Sequence, residues 1–195
     1  MRMKMLARGI ALSLAVGSAA AQQPAPAASG AGMVVTTALR NEGARYATWL
    51  MTAFDSVPAS KYGFRPTPQQ MTIGDVAQHL ESANYLLCAL FSGMPHAETA
   101  KDSLPDSVKA AWPKDTLVAR LKASFAFCKS AIEKVNDANL ADSVLTGPPF
   151  IAKKNARARL VILYVTDLVD HYSQMANYMR LNGMIPPSSY PPPKH

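Results

Sequence analysis

Asp167 and His171 stand four residues apart in a stretch whose neighbouring inward positions are mostly apolar. On an α-helix that spacing places both side chains on one face, one turn apart. The stripe reads Leu160, Leu163, Tyr164, Asp167, Leu168, His171, Gln174, Met175, Tyr178 and Met179. A carboxylate in such surroundings needs a hydrogen-bond donor, a counter-charge or a metal. Three arrangements satisfy the pattern: a plain Asp–His hydrogen bond, a pair at the exposed edge of the stripe, or two ligands of a metal ion. His79 bears on the choice. It lies between Val76 and Ala83, beside Leu80, near the edge of a second apolar stripe. Alone, a histidine there would usually be hydrogen-bonded within the core. Two histidines and an aspartate on facing helices, however, are the kind of donor set from which bundles build metal sites. Three protein ligands with an open position suit catalytic zinc, and two histidines with one carboxylate also suit non-haem iron. Tyr46, Asn84, Tyr164, Gln174 and Tyr178 could line a pocket beside such a site, and would serve equally well as hydrogen-bonded packing residues.

Four long helices must position these residues. The first is expected from about Met33 to Ser56, with Val35, Leu39, Tyr46, Trp49, Leu50, Ala53 and Phe54 at helical spacing. Val57-Pro58 ends it, because the residue before proline avoids helical geometry. The second opens at Thr72-Ile73-Gly74-Asp75, where Thr72 can cap and Asp75 can complete a capping box. It carries Val76, His79, Leu80, Ala83, Leu86, Leu87 and Leu90, and Gly93 and Pro95 stop it. A connection holding Pro95, Pro105 and Pro113 follows, long enough for the second and third helices to run parallel. The third helix is expected from about Lys114 to Asn136, with Leu117, Leu121, Phe125, Cys128, Ile132 and Val135 inward. After a second long connection through Gly147-Pro148-Pro149, the fourth runs from about Ala152 to Asn182 and stops at Gly183 and Pro186-Pro187. With no strand candidate of useful length, the fold class is all-α: a four-helix bundle with long, non-hairpin connections.

The N-terminus has a different character. Arg2, Lys4 and Arg8 precede an apolar run from Ile10 to Val16, and Ala19-Ala20-Ala21 offers small residues for cleavage. This is the layout of a secretory signal peptide over residues 1–21, so a periplasmic or secreted location is expected. The run is too short for a permanent membrane anchor, and no cysteine follows the cleavage point. The expected organisation is then a flexible linker at 22–32, the bundle at 33–187 and a Pro-rich tail at 188–195. Removing residues 1–21 takes away three basic residues and no acidic one, lowering the formal charge from +7 to +4. The remaining cations are scattered, except for Lys153, Lys154, Arg157 and Arg159, which are expected to open the last helix as a solvated face. No aromatic residues interleave with them, which argues against a nucleic-acid partner. Cys88 and Cys128 are an even pair, which in an exported chain favours a disulfide between the second and third helices. Two buried free thiols are the alternative.

Two segments carry a family resemblance. Residues 170–188, Asp170-His171-Tyr172 through Ile185-Pro186-Pro187-Ser188, resemble the final helix and exit of the DinB-like family. Phe64-Arg65-Pro66-Thr67-Pro68, followed by Thr72-Ile73-Gly74-Asp75-Val76-Ala77-Gln78-His79-Leu80, resembles that family's entry to its second helix. The resemblance implies a four-helix bundle holding a divalent metal, often nickel or zinc, on three histidines. His79 and His171 match two of these. The third position, four residues before His171, is Asp167, so the resemblance implies either a site with altered metal preference or one that has lost its metal. Some members of the family transfer thiol cofactors such as bacillithiol or mycothiol to electrophiles, the metal lowering the thiol's pKa. Those thiols are cytoplasmic, at odds with an exported address. A metal-activated water acting on a small-molecule substrate is the other enzymatic reading. A non-catalytic binding or stress-related bundle, with metal structural or absent, is the alternative. Monomer and dimer are both compatible with the pattern.

Overall fold

The computed structural model describes residues 33–96, 99–146 and 153–191. The expected signal segment at 1–21 and linker at 22–32 lie outside the described residues, as do 147–152 and the last four residues of the tail. In chain order the elements are α1 (Val34–Ser56), α2 (Ile73–Ser92), the short α3 (Asp106–Ala110), α4 (Lys114–Ile132), β1 (Ser143–Thr146), β2 (Lys153–Ala156) and α5 (Arg157–Leu181). Among the described residues no helix is long and apolar enough to cross a membrane.

Pairwise contacts fix the direction of each helix. Glu81 meets Arg120, Asn84 meets Ser124 and Cys88 is bonded to Cys128, so α2 and α4 run parallel. Gly43 faces Tyr164 and Tyr46 faces Tyr172, so α1 and α5 also run parallel. Phe91 meets Tyr164 while His79 meets His171, so α2 and α5 are antiparallel. Arg40 reaches the Ile132 carbonyl while Lys114 reaches that of Asp55, so α1 and α4 are antiparallel too. The bundle is a ring in which α1 neighbours α5, α5 neighbours α2, α2 neighbours α4 and α4 neighbours α1. The seam between α2 and α5 therefore lies opposite the seam between α1 and α4. Phe54, Leu80, Leu121, Leu168 and Met175 are fully buried at its centre, each side chain contributing roughly 1.5–3 kcal/mol through burial.

The local signals for the helix ends are realised. Thr72 Oγ1 accepts from the Asp75 N–H at 3.0 Å, and Asp75 Oδ2 accepts from the Thr72 N–H at 2.8 Å. Gly93 and Gly183 end α2 and α5 at φ of 74° and 73°, a conformation that favours glycine. Other expectations are revised. The connection after α2 contains α3, held against α2 because Gly74 has no Cβ: one placed there would lie 2.4 Å from the Ala110 carbonyl oxygen. The last helix starts at Arg157 rather than near Ala152, because Lys153–Ala156 pair antiparallel with Ser143–Thr146. These strands are short and largely exposed, so no apolar alternation marked them. With no capping side chain, α5 satisfies its first N–H groups through chain carbonyls: Arg157 donates to Asp142 O and Ala158 to Leu140 O.

Candidate metal centre

Two elements position the centre. The capping box fixes the start of α2, and two turns on, that helix presents His79 to the seam with α5. There α5 presents Asp167 and His171, one turn apart. One ligand atom from each of the three residues lies within 4.8 Å of the others. Asp167 Oδ1 sits between the imidazoles, 3.7 Å from His79 Nε2 and 3.6 Å from His171 Nε2. Both separations are too long for direct hydrogen bonds. They are within a few tenths of an ångström of the ~3.3 Å spacing that ligands at about 2.0–2.1 Å from one ion impose on each other. The rings of His79 and His171 have centroids 4.7 Å apart and planes inclined by 59°. His171 is buried on the inner side, while the His79 side chain is 43 % exposed, so the site opens to solvent along α2. The facing Asp167 carboxylate raises the His79 pKa above the ordinary histidine value, and burial opposes that rise.

A hydrogen-bond chain behind His171 assigns the proton on its ring. Its far end is the Met71 carbonyl, which can only accept. Tyr178 donates its hydroxyl to that carbonyl at 2.9 Å, which leaves the phenolic oxygen to accept from Gln174 Nε2 at 2.8 Å. Gln174 Oε1 then faces His171 Nδ1 at 3.0 Å and must accept from it. Nδ1 therefore carries the hydrogen, and the lone pair sits on Nε2, toward Asp167 and His79. Outer partners of this kind fix the tautomer and orientation of a metal-binding histidine. Two imidazole nitrogens and a carboxylate oxygen, one imidazole oriented from behind, fit a divalent metal by the chemistry of the donor set.

The other residues singled out in the sequence have different roles. Gln174 and Tyr178 form the chain just described. Asn84 donates to Ser124 Oγ at 2.9 Å and packs between α2 and α4. Tyr46 stacks edge-on with Trp49 and Tyr172. Cys88 and Cys128 form a disulfide with Cα atoms 5.3 Å apart, tying the parallel helices α2 and α4. Leu86 and Leu163, expected to face inward, are exposed at 61 % and 44 %.

Sequence reasoning missed a charged cluster on the α4-facing side of α2. Glu81, two residues from His79, is buried and pairs with Arg120 of α4, whose guanidinium also binds Asp102. Burial raises the Glu81 pKa despite Arg120. For Asp102 burial acts the same way, but hydrogen bonds from Thr99 and Arg120 outweigh it and hold the carboxyl at about 2. The contacts span 39 and 18 residues and cross a connection with no regular pattern, so neighbouring sequence carried no sign of them.

Parallel second and third long helices, with three candidate metal ligands gathered where α2 faces α5, define the chain as a helix bundle with non-hairpin connections and a candidate metal centre. The chain belongs to the DinB superfamily, whose sequence profile matches residues 45–175. Solved structures of similar fold agree. A DinB-like protein from Bacillus cereus ATCC 10987 superposes with a TM-score of 0.60 at 15% identity, covering 79% of this chain and 97% of that one. A conserved protein from Enterococcus faecalis gives 0.57 at 17% identity, with coverage of 76% and 97%. A mycothiol-dependent maleylpyruvate isomerase gives 0.57 at 11% identity, covering 73% of this chain and 60% of that one. At these identities the likeness is one of fold. No curated protein matches the sequence significantly.

Proposed function

We propose that this protein is an exported, metal-dependent transferase or hydrolase of a small molecule, with His79, Asp167 and His171 holding a divalent ion. One observation carries this reading: the three donors converge at the α2–α5 seam while the Gln174–Tyr178–Met71 chain turns the lone pair of His171 Nε2 toward them. A divalent ion held there supplies Lewis acidity, lowering the pKa of a bound water or thiol. The residues themselves supply an open approach past the half-exposed His79 and a closed inner wall at His171. Zinc or nickel fits the imidazoles, and the carboxylate in place of a third imidazole widens the choice toward iron. The exported address rests on the N-terminal pattern of residues 1–21, supported by the Cys88–Cys128 disulfide. It favours water over a cytoplasmic thiol as the activated group. The competing reading is a non-catalytic bundle, supported by the charge complementarity between Asp167 and a protonated His79 without any metal.

Metal analysis decides between them. The untagged chain, expressed with its own N-terminal segment and recovered from the periplasm, is expected to carry about one equivalent of divalent metal. Asp167→Ala and His171→Ala, checked for helical content by circular dichroism, are expected to carry none. Wild-type protein without stoichiometric metal overturns the enzymatic reading.

A further inference from the structure

On the seam opposite the metal centre, between α1 and α4, lies a cleft of about 650 Å³. That volume is in the range of small-molecule sites. Ala47 and Met51 of α1 and Phe125 and Ile132 of α4 give it apolar walls. Its floor includes a residue from neither helix. Tyr164 leaves α5, passes Phe91 with ring centroids 6.0 Å apart, and reaches the cleft beside Gly43. Gly43 lies against its ring, where a Cβ would stand in van der Waals contact, 3.4 Å from Tyr164 Cε1.

Tyr164 as a whole is 4 % exposed; its hydroxyl makes no hydrogen bond among the described residues and is not one of the solvent-excluded unpaired atoms, so it reaches the open space of the cleft. Burial raises its pKa above the ordinary tyrosine value, so the phenol remains a neutral donor. The hydroxyl ends in a cleft large enough to bring it a partner. At the lip, Arg40 and Lys129 are balanced by Asp55 and Glu133, so the entrance has no net charge to select an ion.

We propose that the α1–α4 cleft is a second ligand site, for a neutral, mostly apolar small molecule whose carbonyl or ether oxygen accepts a hydrogen bond from Tyr164. The apolar walls take the body of the ligand, and the phenol fixes its orientation. The site is independent of the metal, because its walls and its donor face the opposite seam.

The test uses the full chain and the solvatochromic ketone 6-propionyl-2-(dimethylamino)naphthalene, a neutral aromatic with one carbonyl. Wild-type protein should bind one equivalent with blue-shifted emission. Tyr164→Phe should weaken binding roughly fivefold to tenfold, the loss of one hydrogen bond, without lowering the melting temperature. Ala126→Trp places a large side chain at an exposed position on the lip and should block the probe. His171→Ala should bind it as wild type does. Absence of saturable blue-shifted binding overturns the proposal, as does equal affinity in the Tyr164 and Ala126 variants. Loss of binding in His171→Ala would assign the probe to the metal centre and overturn it too. So would sedimentation showing a wild-type dimer that Ala126→Trp converts to monomer, since a second copy would then cover the cleft.

Discussion

Replacing Gln174 with leucine tests whether the chain behind His171 prepares that ring for a metal. Leucine keeps most of the volume and removes both polar atoms. Tyr178 keeps its 2.9 Å bond to the Met71 carbonyl, so the far end of the chain stays in place. What is lost is the acceptor 3.0 Å from His171 Nδ1. The hydrogen on the ring is then free to move to Nε2, which blocks the lone pair, and the ring is free to turn. Equal population of the two tautomers alone costs about a factor of two; lost orientation and lost basicity of the ligand add to it. Removal of such outer partners typically weakens metal affinity 10–100-fold, or about 1.4–2.8 kcal/mol. Gln174→Glu, with a charged acceptor at the same place, should retain or tighten binding. The assay is competition for zinc against a chromophoric chelator at fixed pH, with melting temperature measured on the same samples. A purely structural glutamine would lower the melting temperature of Gln174→Leu without changing its affinity. If that variant binds zinc within twofold of wild type while His171→Ala does not bind, the argument from the ring proton is wrong.

Two further outcomes follow from the packing. The Cys88–Cys128 bond closes a loop with a sequence separation of 40. Chain-entropy arguments for a loop of that length give about 4 kcal/mol, so the double Cys→Ala variant should melt roughly 8–16 °C lower by calorimetry. A shift corresponding to under about 1 kcal/mol would mean that helix packing already restrains the unfolded chain. Asp102 should make stability depend on pH. Its folded-state pKa of about 2 lies below the ordinary aspartate value, so the folded state binds that proton more weakly than the unfolded chain does. Its contribution is complete above the unfolded value and disappears as pH falls from about 4 through about 2. Urea midpoints of wild type and Asp102→Asn should therefore differ at pH 6 and converge near pH 2; a gap constant across that range refutes the assignment.

What the sequence made legible was local. Thr72 and Asp75 cap a helix within four residues, Gly93 and Gly183 stop helices by their own backbone freedom, and Asp167 and His171 share a face by spacing alone. Each of these signals is contained in a single turn. The rest depends on partners that arrive from elsewhere. Nothing beside Glu81 in the chain marks its partner, because Arg120 comes across from α4. Lys153–Ala156 read as the start of a helix until Ser143–Thr146 return alongside. Leu86 and Leu163 read as core because a stripe drawn from periodicity has no edge. In the bundle its edge is set by where a neighbouring helix ends its cover, and both leucines fall outside it.

The same logic explains how one helix serves two seams. Successive residues of an α-helix turn by about 100°, so three residues separate side-chain directions by about 60°. Tyr164 points across the core toward α1 and α4, whereas Asp167, three residues later, points along the seam with α2. His171 follows Asp167 by four residues, a rotation of about 40°, small enough that both still address His79. The i, i+4 pair can therefore share a ligand; Tyr164 points within about 20° of His171, and what separates it from that residue is two turns of rise, about 10.5 Å along α5. A substitution at Tyr164 should leave metal content at wild-type level, and one at Asp167 should leave probe binding intact. If either crossed over, α5 would be coupling the seams rather than keeping them apart.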